Sequence, residues 1–250
     1  MSHLTTVCDD FYVSVRLFLK LDMTLERETV LHFFDRIRKE FPGLRKLRRR
    51  SGHGLVLEEE ADERGSRRWI RLDARSLRFG HFGPPDSREV RRFGHLILEQ
   101  APYHLSFSDI DFDHLEVAYG FDLDYRGNHD RLVAETRLGD NAAAAFLFGD
   151  QTAQVIDAQP YLGIALTPEC DLQAYVEVKS RTTTFEVRGD NFEDEPISVQ
   201  LTVRKYWGAE SPTSLAQTLV TLFDTADELA TARIVPNFVN PLAVAIASRS

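Results

Sequence analysis

Hydrophobic and polar residues alternate cleanly near the start of the chain. Over 10–21, Phe11, Val13, Val15, Leu17, Leu19 and Leu21 point one way, and Asp10, Ser14, Arg16 and Lys20 point the other. A period of two predicts a strand with one buried face. The period then changes. Thr24 fits a helix cap, and 25–41 carries a stripe of Val30, Phe33, Phe34, Ile37 and Phe41 that ends at Pro42-Gly43. Short strand patterns follow at 44–50 and 55–61, joined by Ser51-Gly52-His53-Gly54, and at 67–73 and 77–82. Asp86 with Glu89 predicts a helix start, with Val90, Phe93, Ile97 and Ala101 inward and an end at Pro102.

The longest alternation is 115–125. Leu115, Val117, Tyr119, Phe121, Leu123 and Tyr125 form its apolar face, opposite His114, Glu116, Ala118, Gly120, Asp122 and Asp124. Asn128 predicts a helix to Leu138, and an Ala-rich helix is expected at 142–148. Strands are expected at 154–166, 172–181 and 197–207, with an acidic loop at 189–195. Ser211-Pro212 predicts the start of a last long helix, to about Arg233.

These elements point to an α+β fold. Mainly antiparallel strands form one or two sheets, with the helices 25–41, 87–101 and 212–233 on one face. The chain divides into an N-terminal lobe, 1–140, and a C-terminal lobe, 141–250, or forms one continuous domain. Residues 29–35, Thr-Val-Leu-His-Phe-Phe-Asp, resemble 218–224, Thr-Leu-Val-Thr-Leu-Phe-Asp. This raises two pseudo-repeated lobes as an expectation.

Charge is uneven. Residues 1–131 hold 22 Lys/Arg against 23 Asp/Glu, a balance of −1, whereas 132–250 hold 8 against 16, a balance of −8. The second half would repel a phosphate backbone, so nucleic acid is not an expected partner. Cys8 and Cys170 form no metal-binding or redox pair. The start of the sequence lacks a secretory pattern. The apolar tail 234–247 contains Pro236, Asn237, Asn240 and Pro241. It reads as too short and interrupted for the roughly 20 apolar residues of a bilayer span. A soluble, cytoplasmic protein without membrane contact is therefore expected, with 234–247 a candidate for self-association.

Three clusters could carry chemistry. Asp109, Asp111 and Asp113 sit at alternate positions before His114 and Glu116. They open like a calcium loop, but His114 and Gly120 stand where that loop needs glycine and glutamate. A looser Mg²⁺ or Mn²⁺ site is the remaining metal reading. His129, near Asp122, Asp124 and Asp130, is the candidate acid or base. The basic run 45–50 offers Arg48 and Arg50 for an anion, although Glu59 and Glu60 on the returning strand are expected to pair with Lys46 and Arg45. No phosphate loop, dinucleotide turn or nucleophile elbow is present. The leading expectation is thus a non-catalytic protein that binds a protein partner or small ligand on an open sheet surface. The alternative is a metal-dependent enzyme, perhaps a hydrolase, centred on 109–130.

Overall fold

The computed structural model describes residues 4, 6–49, 54–139, 141–142, 144–150, 152–207 and 214–249. Among the described residues nine antiparallel strands form one sheet. In chain order they are β1 (Asp10–Leu19), β2 (Lys46–Arg49), β3 (Leu55–Glu58), β4 (Arg67–Asp73), β5 (Ser76–Phe82), β6 (Phe112–Tyr125), β7 (Tyr161–Ala165), β8 (Leu172–Lys179) and β9 (Glu195–Tyr206). Their spatial order is β2-β3-β4-β5-β1-β6-β9-β8-β7. The helices are α1 (Arg27–Glu40), α2 (Ser87–Leu105), α3 (His129–Leu138), α4 (Ala144–Phe148), α5 (Thr184–Gly189), α6 (Leu215–Leu229) and α7 (Asn240–Ala247).

The alternation at 114–124 sets the two sides of this sheet. Leu115, Val117, Tyr119 and Phe121 are fully buried towards the helices, while Glu116 and Asp122 are only half-buried on the other side. Phe11, Val13, Val15 and Leu17 join the same buried layer from β1. Helices α1, α2 and α6 cover it in succession, α1 against α2, α2 against α6, and α6 against β6 and β9. The Tyr119 hydroxyl, carried into this layer, donates to Asp227 of α6 at 2.7 Å, which satisfies a polar atom that burial would otherwise strand. Among the described residues no helix lies over the opposite face.

The connections have a shared order. In each half a long strand leads into a helix, and a meander then brings the last strand back beside the first: β5 beside β1, and β9 beside β6. The central pair β1–β6 joins the halves, with Val15 opposite Val117. The matching heptapeptides, however, lie on α1 and α6. Helix α1 follows a first strand and α6 follows a last strand, so α6 corresponds in position to α2. That similarity reflects two amphipathic helices with the same spacing rather than equivalent positions.

Several local expectations change. Helix α1 is preceded by Glu26, which makes no side-chain cap, instead of starting from Thr24. Helix α2 continues past Pro102 to Leu105, because Ala101 and Leu105 remain buried against the core. The pairing of β2 with β3 sets Lys46 opposite Glu58 and Arg48 opposite Val56, one residue away from the expected partners. Of the strand expected at 154–166, only β7 forms. The segment before it is bonded by side chains instead, with the Val155 carbonyl accepting from Asn128 and the Ala158 amide donating to Asp130. A capping box of Thr183 and Glu186 builds α5 in a stretch read as connection. The expected cap Ser211-Pro212 and the turn 51–53 lie outside the described residues, and Ser214 caps α6 by accepting from the Gln217 amide.

The tail also differs from its reading. Leu215–Ala247 is one helical run of 33 residues, long and apolar enough by length and composition to cross a membrane. Pro236 fits because Ala230–Val239 is wound as a π-helix, and Pro241 sits in the first turn of α7. One side of the run packs into the sheet's core through Leu219, Phe223, Leu229, Ile234, Val239 and Leu242, and 28% of its most apolar stretch is buried.

Candidate functional site on the open face of the sheet

Of the five acidic and histidine positions near the start of β6, Asp113 and Glu116 lie 2.8 and 4.0 Å from the two ring nitrogens of His114, whereas Asp109 and Asp111 stand apart. Asp109 is exposed and Asp111 closes a 3₁₀ turn, its carboxylate accepting from the Ser108 amide at 2.8 Å and hydroxyl at 3.1 Å. Asp113 falls where the β1–β6 register shifts, and pairs with Nδ1 of His114 at 2.8 Å. Glu116 lies on the open face, 2.8 Å from Arg204. Among the described residues no three His, Cys, Asp or Glu side chains come together in a way that could hold a metal ion.

His129 is buried with both ring nitrogens engaged. Nε2–H donates to the Tyr125 carbonyl at 2.9 Å, and Nδ1 accepts from the Arg181 amide at 3.2 Å. Burial holds its pKa below the usual imidazole value, only partly opposed by the bond to Tyr125. Its neighbour Asp130 accepts from the Ala158 amide at 2.9 Å and the Ser180 hydroxyl at 2.7 Å. This geometry ties the segments around 158 and 180 to the start of α3, and leaves His129 no free nitrogen for a substrate. Of the basic pair, Arg48 is ion-paired with Glu58, and Arg50 lies outside the described residues. A cleft of about 840 Å³ near β2 is lined by Lys46, Glu59, Arg68 and Glu89. Its charges largely satisfy one another, since Arg68 bridges Glu59 at 2.9 Å and Glu89 at 2.5 Å.

The uncovered sheet face carries a different arrangement. Strand pairing places Arg71 directly opposite Arg78, Arg78 opposite Arg16, Arg16 opposite Glu116, and Glu116 opposite Arg204. Three arginines thus lie side by side across β4, β5 and β1. Like charges directly opposite one another destabilise a sheet. Arg71 is relieved by Asp73 at 2.7 Å, and Arg204 takes Glu116. Among the described residues no carboxylate comes within ion-pair distance of Arg16 or Arg78. Burial draws both guanidinium groups below the ordinary arginine pKa, and Nε of Arg16 is a buried donor without a partner. Both still carry their charge at neutral pH.

Aromatic rings surround this row. The Arg16 guanidinium lies 3.8 Å from the centre of Phe18, and Phe18 stacks on His114 at 4.0 Å, with Tyr206 on the far side at 4.8 Å. Arg78 lies over Trp69 and Arg67 over Phe82. Three rings lie flat because the residue opposite is glycine: Trp69 over Gly80, Tyr12 over Gly120, and Tyr175 over Gly163. A Cβ on any of these glycines would run into the ring that covers it. The face is therefore paved with aromatic surfaces. Its two halves differ in charge: Arg16, Arg67, Arg71 and Arg78 dominate one, whereas in the other Glu116 and Glu177 are paired with Arg204 and Lys179.

The alternation revealed which side of β6 is open, but not the arginine row. Arg16 and Arg78 are far apart in sequence, and only the β1–β5 pairing brings them together. No protein-family model matches the chain and no curated protein matches it, so what can be said of its function rests on these side chains.

Proposed function

We propose that the protein is a non-catalytic binding protein that holds a small ligand on the open face of its sheet. The ligand pairs an oxyanion, phosphate or carboxylate, with a planar group. The observation that carries this reading is the row Arg71–Arg78–Arg16, in which like charges stand opposite one another with two guanidinium groups lacking an ion-pair partner. A stable sheet gains nothing from such an arrangement, whereas a bound oxyanion would neutralise it with charge-assisted hydrogen bonds. The rings of Trp69 and Tyr12, with Phe82 tilted beside Tyr12, would stack a planar group beside it. The guanidinium groups without an ion pair are confined to the neighbouring strands β5 and β1, so a mononucleotide or an aromatic carboxylate is the favoured size.

Trp69 lies on this face, whereas Trp207 is buried, so tryptophan emission reports on the site. Titration with AMP or with benzoate is expected to change the emission and release heat, and Arg16→Gln or Arg78→Gln to weaken binding at least about tenfold, the worth of one charge-assisted contact. A long single-stranded oligonucleotide should bind no more tightly than AMP. If neither small probe binds, or if both variants bind like the parent, the reading fails.

A further inference from the structure

The second edge of the sheet is unusual. β7 pairs only with β8, so its outer backbone N–H and C=O groups face away from the sheet. All five of its residues, Tyr161-Leu162-Gly163-Ile164-Ala165, are exposed, with Tyr161, Leu162 and Ile164 at 59%, 55% and 47%. None is charged, and the strand has neither a proline nor a register shift within it. Edge strands of this composition template the pairing of another strand unless something blocks them. The opposite edge is blocked: β2 is Lys46-Leu47-Arg48-Arg49. Two edge strands of the same sheet thus face the same hazard, and only β2 carries charges against it, while β7 has Pro160 before its first residue.

We propose that β7 is the seam of a homodimer, pairing antiparallel with β7 of a second copy about Gly163. The sequence is self-complementary in that register. Leu162 would face Ile164 of the partner on the helix side, joining two apolar side chains that are each about half exposed. Tyr161 would face Ala165 of the partner on the open side, a large residue against a small one. Gly163 would meet its own copy on the two-fold axis, leaving room between the two Tyr175 rings, each of which covers its own Gly163. The absence of charge means that no like-charge repulsion opposes self-pairing, and a two-fold axis closes the assembly. Pairing β7 with the cationic β2 of another copy would instead give an open chain of molecules, and β7 carries no carboxylate to meet the β2 cations. In the dimer the two sheets become one, and their open faces lie side by side.

A five-residue strand pair is small beside the roughly 1,200–2,000 Å² of a standard stable interface. Exchange between monomer and dimer is therefore expected. Light scattering of the intact chain from low to high micromolar concentration should show a mass rising from 28.5 kDa towards twice that value. Leu162→Lys and, separately, Ile164→Lys are expected to hold the mass at the monomer value. Both side chains are exposed, so circular dichroism should be unchanged. Val220→Lys, at an exposed position of α6, should associate like the parent. Amide exchange should slow in β7 as concentration rises in the parent alone. A parent that stays monomeric throughout overturns the proposal, as does association undiminished in both lysine variants.

Discussion

The two flanks of the sheet begin from the same order of connections and finish very differently. In the first half, α1 packs on α2, Leu57 and Ile70 beneath them are fully buried, and the edge strand is lined with cations. In the second half, the positional counterpart of α1 is the shorter α3, which packs on α7, and β7 stays bare on both faces. The charge of the open face divides along the same line, arginine-rich on one side and ion-paired on the other, Glu116 with Arg204 and Glu177 with Lys179. The comparison teaches that similar connections, with five strands in one half and four in the other, can end in a closed flank or an open one. Which flank is open is decided by where the covering helix goes and by a few side chains at the edge.

The largest expected effect separates the buried flank from the bare one. Leu57→Ala on β3 removes a side chain with no exposure and should cost about 2–5 kcal/mol, read as a lower urea midpoint. Leu162→Ala on β7, measured at a concentration where the chain is monomeric, should stay within about 0.5 kcal/mol. Equal losses would show that β7 is packed as tightly as β3.

A smaller effect concerns how the second flank is held. Asp130 replaces a covering helix with hydrogen bonds to Ala158 and Ser180. Asp130→Ala strands both donors and should cost about 1–3 kcal/mol. Hydrogen exchange should quicken in β7 and β8 and remain unchanged in β2–β5. A uniform rise across the sheet would mean that the halves do not open separately.

The mildest test is pH. Each half buries a neutral histidine. His81, with Nε2 2.9 Å from the Ser66 hydroxyl, is pushed down to about 4, mainly by burial and then by Arg68. His129 is shifted in the same direction. The unfolded chain takes up these protons nearer the ordinary value of 6.5. It therefore binds more protons than the folded chain within this window, and stability rises with pH across it. The contribution of His81 is fully present above about pH 6.5 and is lost as the pH falls towards about 4. Melting temperature plotted against pH over that range should slope less in His81→Gln than in the parent. An unchanged slope would remove His81 from the account.

The elements with strong periodicity were legible in the sequence. β1, β6 and the stripes of α1 and α2 bury most of the residues that their spacing selects, because a face of each meets one core; Leu21, read as the last buried position of the first strand, instead lies beyond its end at Leu19 and is 64% exposed. Weaker stretches failed for specific reasons. Residues before Tyr161 alternate like a strand, yet the hydrogen bonds of Asn128 and Asp130 engage their backbone. Pro102 and Pro236 read as breaks, yet buried neighbours and a π-helical winding carry the helices through. Of the candidate site, the polar side of β6 was legible and Arg16 was visible on the polar side of β1. The row itself was not, since it exists only across β4, β5 and β1. The histidine at 129 looked reactive in sequence because its bonds to the backbone at 125 and 181 depend on how the chain returns.

Gly80, Gly120 and Gly163 each lie beneath a ring from the neighbouring strand, and this ties pairs of positions together over time. A side chain acquired at any of them must displace the ring above, and losing the ring first leaves a bare glycine in a strand with little to shield it. Each such pair should be inherited as a unit: in any lineage descended from this chain, Trp69 with Gly80, Tyr12 with Gly120 and Tyr175 with Gly163 persist or disappear together.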